Sequence, residues 1–248
     1  MSKMAGTDFS IPTLAHEERL WQAGFAHVAG IDEAGRGTLA GPVVAGAVIV
    51  PTGAEYAGLW TAARDSKTLK PGLREEMYGQ IQEQAAAWGI GSASATEIDE
   101  MGIAPATQLA MQRAIEQLSP PADYLLIDWV KLPQVKLPQE SHKKADRDIV
   151  SVAAASILAK VYRDQHMTEL DARYPNYEFG RHKGYGTAVH LAALALHGPC
   201  PVHRYSFAPV KNAVKPLHEL EEKHRQGYLF HPVEPEEFEV WQSESLSV

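Results

Sequence analysis

A chain of 248 residues, 45% of them hydrophobic, can bury a substantial core within one large domain, and its lone cysteine, Cys200, excludes an internal disulfide framework. The formal charge of −8 argues against a uniformly basic nucleic-acid binder, and no stretch approaches the roughly 18 uninterrupted apolar residues of a membrane-spanning helix. The N-terminus carries no apolar run of the kind that directs secretion, so the expectation is a soluble cytoplasmic protein with no membrane partner.

Residues 13–24, TLAHEERLWQAG, read as a short helix closed by Gly24. FAHVAGID at 25–32 reads as a strand, and after a glycine-rich turn PVVAGAVIVP at 42–51 reads as a second, with Pro42 at its first position and Pro51 beyond its end. A charged helical stretch around 70–87 leads into WGIGSASAT, a third strand of small residues. Helical periodicity in TQLAMQRAIEQL, at 107–118, is stopped by Pro120 and Pro121, and YLLID is a buried strand by its unbroken apolar run. Residues 149–170 form a long helix whose first half, IVSVAAASILA, is apolar on most sides and therefore packs in the interior. Asp148 is the expected cap of that helix. Beyond about residue 212 a polar helix precedes an acidic tail.

Within this α/β pattern, Asp32 and Asp128 each end an aliphatic run, where aspartate is depleted and a buried charge is costly unless paired or bound to a cation. Glu33 adjoins the first and Asp146 lies in KKADRD. No matching set of basic residues stands beside these four acids, so a divalent metal is the economical counter-charge. Such a centre implies hydrolysis at phosphate. The net charge also hides a pattern. Residues 1–130 hold 8 Lys and Arg against 16 Asp and Glu, residues 131–215 hold 13 against 7, and residues 216–248 hold 2 against 8. A basic block directly after Asp128 fits a nucleic-acid face.

By itself GIDEAGRGTLAGP could be no more than a charged, glycine-rich hairpin turn. The acidic pair, however, lies upstream of the glycines, and Gly35 and Gly37 flank Arg36 with residues that let a backbone approach a ligand. Successive strand side chains face opposite ways, so Asp32 and Glu33 need a local irregularity to share a pocket, expected at Ala34–Gly35. Tyr185 stands between two glycines, an unfavourable setting for a core aromatic.

The blocks AGIDEAGRGTLAGPVVAGAVIV, DSKTL, LLID, KAD, AAASILAKVYRD, HKGYGT and HRYSFAPV together resemble bacterial type 2 ribonuclease H, ribonuclease HII, in order and spacing from about residue 18 to 215. The resemblance implies a ribonuclease H-like three-layer α/β fold with a mixed five-stranded sheet and a small helical C-terminal region. The change of character near residue 212 divides the chain into a catalytic domain at 1–212 and a helical extension with acidic tail at 213–248. The resemblance implies that Asp32, Glu33, Asp128 and Asp146 hold Mg²⁺ or Mn²⁺. It further implies that Gly35, Arg36 and Gly37 read the ribose 2′-hydroxyl together with Tyr185, the one group that separates RNA from DNA at a nucleotide. Lys67 and Lys183 become candidate phosphate contacts. The implied substrates are RNA/DNA hybrids and DNA duplexes containing ribonucleotides, cut by a monomer to leave 3′-hydroxyl and 5′-phosphate ends. Two departures stand out: Thr38 replaces a frequent proline, which should only loosen the turn, and Trp129 follows Asp128 where a small residue is common. The competing readings are a DNA-directed nuclease of the same fold and a non-catalytic hybrid-binding module, and metal-dependent cleavage at a single ribonucleotide separates all three.

Overall fold

The structure, a computed structural model, describes residues 11–63 and 69–214. Among them five strands form one mixed sheet: β1 (Val28–Ala34), β2 (Val43–Ile49), β3 (Ala87–Ala93), β4 (Tyr124–Asp128) and β5 (Gln139–His142), in the order β3-β2-β1-β4-β5. The first three pair antiparallel, whereas β4 runs parallel to β1 and β5 parallel to β4. The helices are α1 (Ala15–Gln22), α2 (Leu59–Ala62), α3 (Pro71–Gln84), α4 (Ala95–Met101), α5 (Ile103–Glu116), α6 (Val150–Arg173), α7 (Phe179–His182), α8 (Ala188–His197) and α9 (Ala208–Ala213). No helix among the described residues is long and apolar enough to cross a membrane. The described residues up to Ala213 belong to one compact unit. The expected polar helix and acidic tail lie outside the described residues, as does Lys67.

Alternation along the strands builds two apolar layers. Ile31, Ala45, Ala47 and Ile127 face α5 through Ala110, Met111 and Ala114. On the opposite face Val48 packs with Ala154, Ile157 and Leu158 of α6 and with Met77 and Ile81 of α3. Small residues set how closely α6 approaches. A Cβ on Gly30 would stand 2.2 Å from the Ser151 carbonyl carbon, and one on Gly46 would stand 2.3 Å from the Ala155 oxygen. The buried helix inferred from its apolar first half is therefore pressed directly onto the centre of the sheet.

Three local readings change. The segment after β3 is not all strand: Ser94 caps α4, its Oγ accepting from Glu97 N–H at 3.2 Å while Glu97 accepts from Ser94 N–H at 2.8 Å. That reciprocal pair is a capping box, legible as Ser-x-x-Glu but masked by the small-residue run before it. Asp148 does not cap α6. A 3₁₀ turn at Ala145–Arg147 leads in, Asp148 closes it by donating to the Ala145 carbonyl, and Ile149 takes the N-cap position. β5, with the sequence Gln-Glu-Ser-His, is half-buried and lacks the apolar pattern by which the other strands were found.

Gly46→Ala should lower stability by a few kcal/mol, roughly 1–3 for an overpacked contact, because the new methyl meets backbone. Gly79→Ala in α3, where the same methyl meets nothing within 4 Å, should raise stability by up to about 1 kcal/mol. Urea unfolding of the two variants checks this pair.

Candidate active site

The sheet registers Gly30 with Leu126 and Ile31 with Ile127, so Asp32 and Asp128 occupy the next level of adjacent parallel strands. Each lies two residues beyond a position on the α6 face, Gly30 and Leu126, and therefore projects toward that face. Asp146 arrives from the 3₁₀ turn ahead of α6, and the Ala145 N–H donates to Asp128 Oδ1 at 2.8 Å, joining that turn to the end of β4. Asp32 and Asp146 are only 5% and 4% exposed. Glu33 follows Asp32 at the end of β1, its N–H donating to Asp32 Oδ1 at 2.7 Å and its carboxylate lying 3.3 Å from Arg36 Nη1.

Burial pushes the Asp32 carboxyl well above its ordinary range, and the negative charges of Glu33, Asp128 and Asp146 push it further. Glu33, Asp128 and Asp146 thus lie near enough for their charges to act on Asp32. They do not close to mutual ligand-atom distances within 4.8 Å; among the described residues the group that does so is His16, Glu140 and His142. The wider spacing is compatible with a site for two ions, because such ions stand about 3.5–4 Å apart and carboxylates on opposite sides need not touch. Oxygen-only donors with excess negative charge suit hard divalent cations. The expected absence of basic partners needs one amendment, since Arg36 pairs with Glu33.

β1 ends at Ala34, and Gly35 takes φ +91°, the expected irregularity. Two buried arginines hold the turn that follows, and neither was found from the sequence. Arg204 donates to the carbonyls of Gly35 (2.7 Å), Arg36 (2.8 Å) and Gly41 (3.1 Å). Because C=O and N–H of a trans peptide point in opposite directions, the Arg36 and Gly37 N–H groups are turned away from Arg204. Arg163 donates to the carbonyls of Pro42 (2.9 Å), Ala40 (3.1 Å) and Lys183 (2.9 Å) and to Thr38 Oγ1 (2.8 Å). Burial lowers these guanidinium groups to about 10 for Arg163 and about 9 for Arg204, which leaves both charged at neutral pH. Thr38 does not loosen the turn. Its hydroxyl lies 2.9 Å from the Gly35 carbonyl and 3.1 Å from that of Ala40, so it ties the turn and hands it to Arg163.

The same arginine reaches the second turn. Gly184 O accepts from Leu39 N–H at 2.8 Å, which sets the Gly184–Gly186 segment beside Leu39 and Ala40. Tyr185 is 45% exposed. Its carbonyl takes a 2.9 Å bond from His190 Nδ1. Carbonyls only accept, so His190 carries its proton on Nδ1 and accepts at Nε2 from His203, 3.0 Å away, whose Nδ1 in turn accepts from Cys200 N–H at 3.0 Å. Burial lowers His190 to about 4 and His203 to about 3, which keeps this relay neutral. Cys200 and His203 are thus joined in one hydrogen-bond chain with His190. Lys183 turns its ammonium to Asp164 O (3.1 Å) and Thr168 Oγ1 (2.7 Å). Asp164 pairs with Lys160 at 2.6 Å, and Arg163 serves the turns instead. Trp129, 54% exposed, lies under Arg36 at 4.7 Å. Trp129, Lys144 and Lys183 all hold positive φ near +60°, an uncommon strain for residues with side chains, and they flank Asp128, Asp146 and Tyr185.

The sequence model of the family described as Ribonuclease HII matches residues 29–210. The chain belongs to the ribonuclease HII family. It is a hydrolase of the nuclease class that cleaves RNA in RNA/DNA hybrids. A ribonuclease HII of Dehalococcoides mccartyi is 50% identical over 202 residues, covering 81% of this chain and 95% of that protein. The ribonuclease H2 structure from Pyrococcus horikoshii superposes with a TM-score of 0.64 at 26% identity, covering 75% of this chain and 96% of its own. Ribonuclease HII in the PCNA complex from Archaeoglobus fulgidus gives 0.62 at 26% identity, over 77% of this chain and 99% of its own. The family depends on divalent metal, and the oxygen donors around Asp32 are chemically suited to it.

Asp32 binds its proton more tightly folded than unfolded. Its favourable contribution is therefore present below the unfolded carboxylate value and lost as pH rises through the raised folded value. In chelator, stability should decline across that window, and Asp32→Asn should flatten the decline without lowering stability at neutral pH. Urea titrations from pH 4 to 8 check this. Arg204→Met should cost on the order of 1–3 kcal/mol for each carbonyl left unmet, measured by the same unfolding.

Proposed function

We propose that the family's hybrid cleavage extends in this chain to single ribonucleotides embedded in duplex DNA, and that it runs on Mg²⁺ or Mn²⁺ held by Asp32, Glu33, Asp128 and Asp146. The observation that carries this reading is the buried Asp32 one level with Asp128 on the adjacent strand, with the Ala145–Asp146 turn hydrogen-bonded to Asp128 and the turn after β1 oriented by Arg204. Bound there, divalent metal supplies acidification of the attacking water and neutralises charge at the departing 3′ oxygen. The residues do the positioning. Asp32 and Asp128 provide oxygens from the rigid sheet centre, Asp146 adds one from the turn hydrogen-bonded to Asp128, and Glu33 is steadied by Arg36. The Arg36 and Gly37 N–H groups are available to donate to a 2′-oxygen, and the exposed Tyr185 ring can rest against the same ribose, so that a deoxynucleotide forfeits the contact. Cleavage on the 5′ side of the ribonucleotide then yields 3′-hydroxyl and 5′-phosphate ends.

The basic stretch 131–215 is proposed as the duplex-binding face. Lys67 and Lys183 are proposed phosphate contacts, the latter by exchanging its bonds to Asp164 and Thr168. We assign the chain to the cytoplasm as a monomer, with 1–212 as the catalytic domain and 213–248 as an extension with an acidic tail.

On a duplex carrying one ribonucleotide, wild-type cleavage should vanish in chelator and return with Mg²⁺ or Mn²⁺, while an all-DNA duplex stays intact. Asp128→Asn should lose at least about a hundredfold in rate, the scale of removing an electrostatic group from the reacting centre. Full activity in chelator, or near-normal turnover by Asp128→Asn, would sink the reading. Tyr185→Ala should slow cleavage at the single ribonucleotide by an amount worth about 1–3 kcal/mol, with a smaller change in the dissociation constant for the same duplex, because phosphate contacts supply most affinity. Paired cleavage and binding curves decide this; wild-type cleavage by Tyr185→Ala leaves ribose sensing to the Gly35–Gly37 turn.

A further inference from the structure

On the edge strand of the sheet, where His142 is registered with Asp128 of β4, a second set of metal-binding side chains converges. Glu140 and His142, two apart on β5, project to the same side, and α1 brings His16 onto them. One ligand atom from each of the three lies within 4.8 Å of the others. Glu140 Oε2 and His142 Nε2 are 3.2 Å apart, close to the edge of a tetrahedron around an ion whose bonds are about 2.0–2.1 Å. The His16 and His142 rings meet edge to face with centroids 4.8 Å apart. His16 Nδ1 is buried with no hydrogen-bond partner, a cost that packing alone does not explain. The bland alternative is an ion-pair clip, since Glu140 also accepts from Arg19 at 2.7 Å and from the Tyr124 hydroxyl at 2.8 Å. That clip accounts for Glu140 and for His142, whose Nε2 bonds to it, and leaves the buried His16 Nδ1 unexplained.

We propose that His16, Glu140 and His142 form a second metal site, selective for a borderline dication of the Zn²⁺ class, that clips α1 to β5. Two imidazoles and one carboxylate with an open fourth position match zinc chemistry, whereas the all-oxygen catalytic set favours Mg²⁺ or Mn²⁺. The protonation states suit it. Burial lowers His16, with the His142 and Arg19 charges adding to the effect. Burial would raise Glu140, but bonds from Tyr124, Arg19 and His142 outweigh it and hold the carboxylate below its usual range. The clip adjoins the proposed catalytic acids: His142 is registered with Asp128 across the β4–β5 pair and lies four residues before Asp146.

The test is calorimetric titration of the full chain with Zn²⁺ in an Asp32→Asn, Asp128→Asn background, which keeps catalytic carboxylates from contributing. The inference expects one equivalent of saturable Zn²⁺, a rise in Tm with zinc, and an intense visible band from Co²⁺ in tetrahedral N/O coordination. His16→Gln and His142→Gln should each weaken binding at least about tenfold and abolish the Co²⁺ band, while their zinc-free unfolding curves report whether the fold is intact. Arg19→Ala is the discriminating variant: removing a positive charge from the ligand oxygen should leave zinc affinity equal or tighter. No saturable zinc, unchanged affinity in both glutamine variants, or weaker zinc binding in Arg19→Ala overturns the site. If a glutamine variant fails to fold, the Co²⁺ spectrum of the unsubstituted triad and Glu140→Gln carry the same decision.

Discussion

Everything at the functional end of this fold depends on holding negative charge where negative charge is unfavourable. Asp32 is buried at the end of a central strand and surrounded by three more carboxylates, so the metal-free protein pays electrostatic repulsion and desolvation together. A sheet can impose this because its backbone registers are rigid. Asp32 and Asp128 sit at one level of neighbouring parallel strands, with α6 closing over them through Gly30 and Gly46. On the proposed reading a cation would relieve what the fold imposes, which would couple metal uptake to stability as well as to catalysis.

The two buried arginines solve a complementary problem. Among the described residues neither Arg163 nor Arg204 bonds to a carboxylate; their donors go to main-chain carbonyls and one threonine hydroxyl. A guanidinium is suited to this, with five donors in a fixed plane that can fasten several carbonyls at once. Arg204 fixes the amide orientation of the turn after β1, and Arg163 links that turn to the one bearing Tyr185. The neutral His190–His203 relay then supports Tyr185 from its carbonyl side. Two loops distant in sequence are thereby held as one surface beside the carboxylates.

The strands β1, β2, β3 and β4 and the buried helix α6 were legible because apolar runs and small residues reflect burial on a sheet, and the irregularity at Gly35 followed from two adjacent acids needing one pocket. What escaped was encoded between residues far apart. Arg163 gave no signal because its partners Thr38, Ala40 and Pro42 are more than a hundred positions away. Thr38 looked like a loosened proline site because a hydroxyl's value depends on what it meets. β5 was invisible as a polar edge strand, and with it the convergence of His142, Glu140 and His16.

The central claim is most directly measured by carbon-detected NMR titration of the Asp32 carboxyl, assigned by its loss in Asp32→Asn, in chelator and with saturating Mg²⁺. The account predicts a midpoint above the ordinary carboxylate range without metal and a downward shift when Mg²⁺ is added. An ordinary midpoint in chelator, unmoved by Mg²⁺, would contradict it.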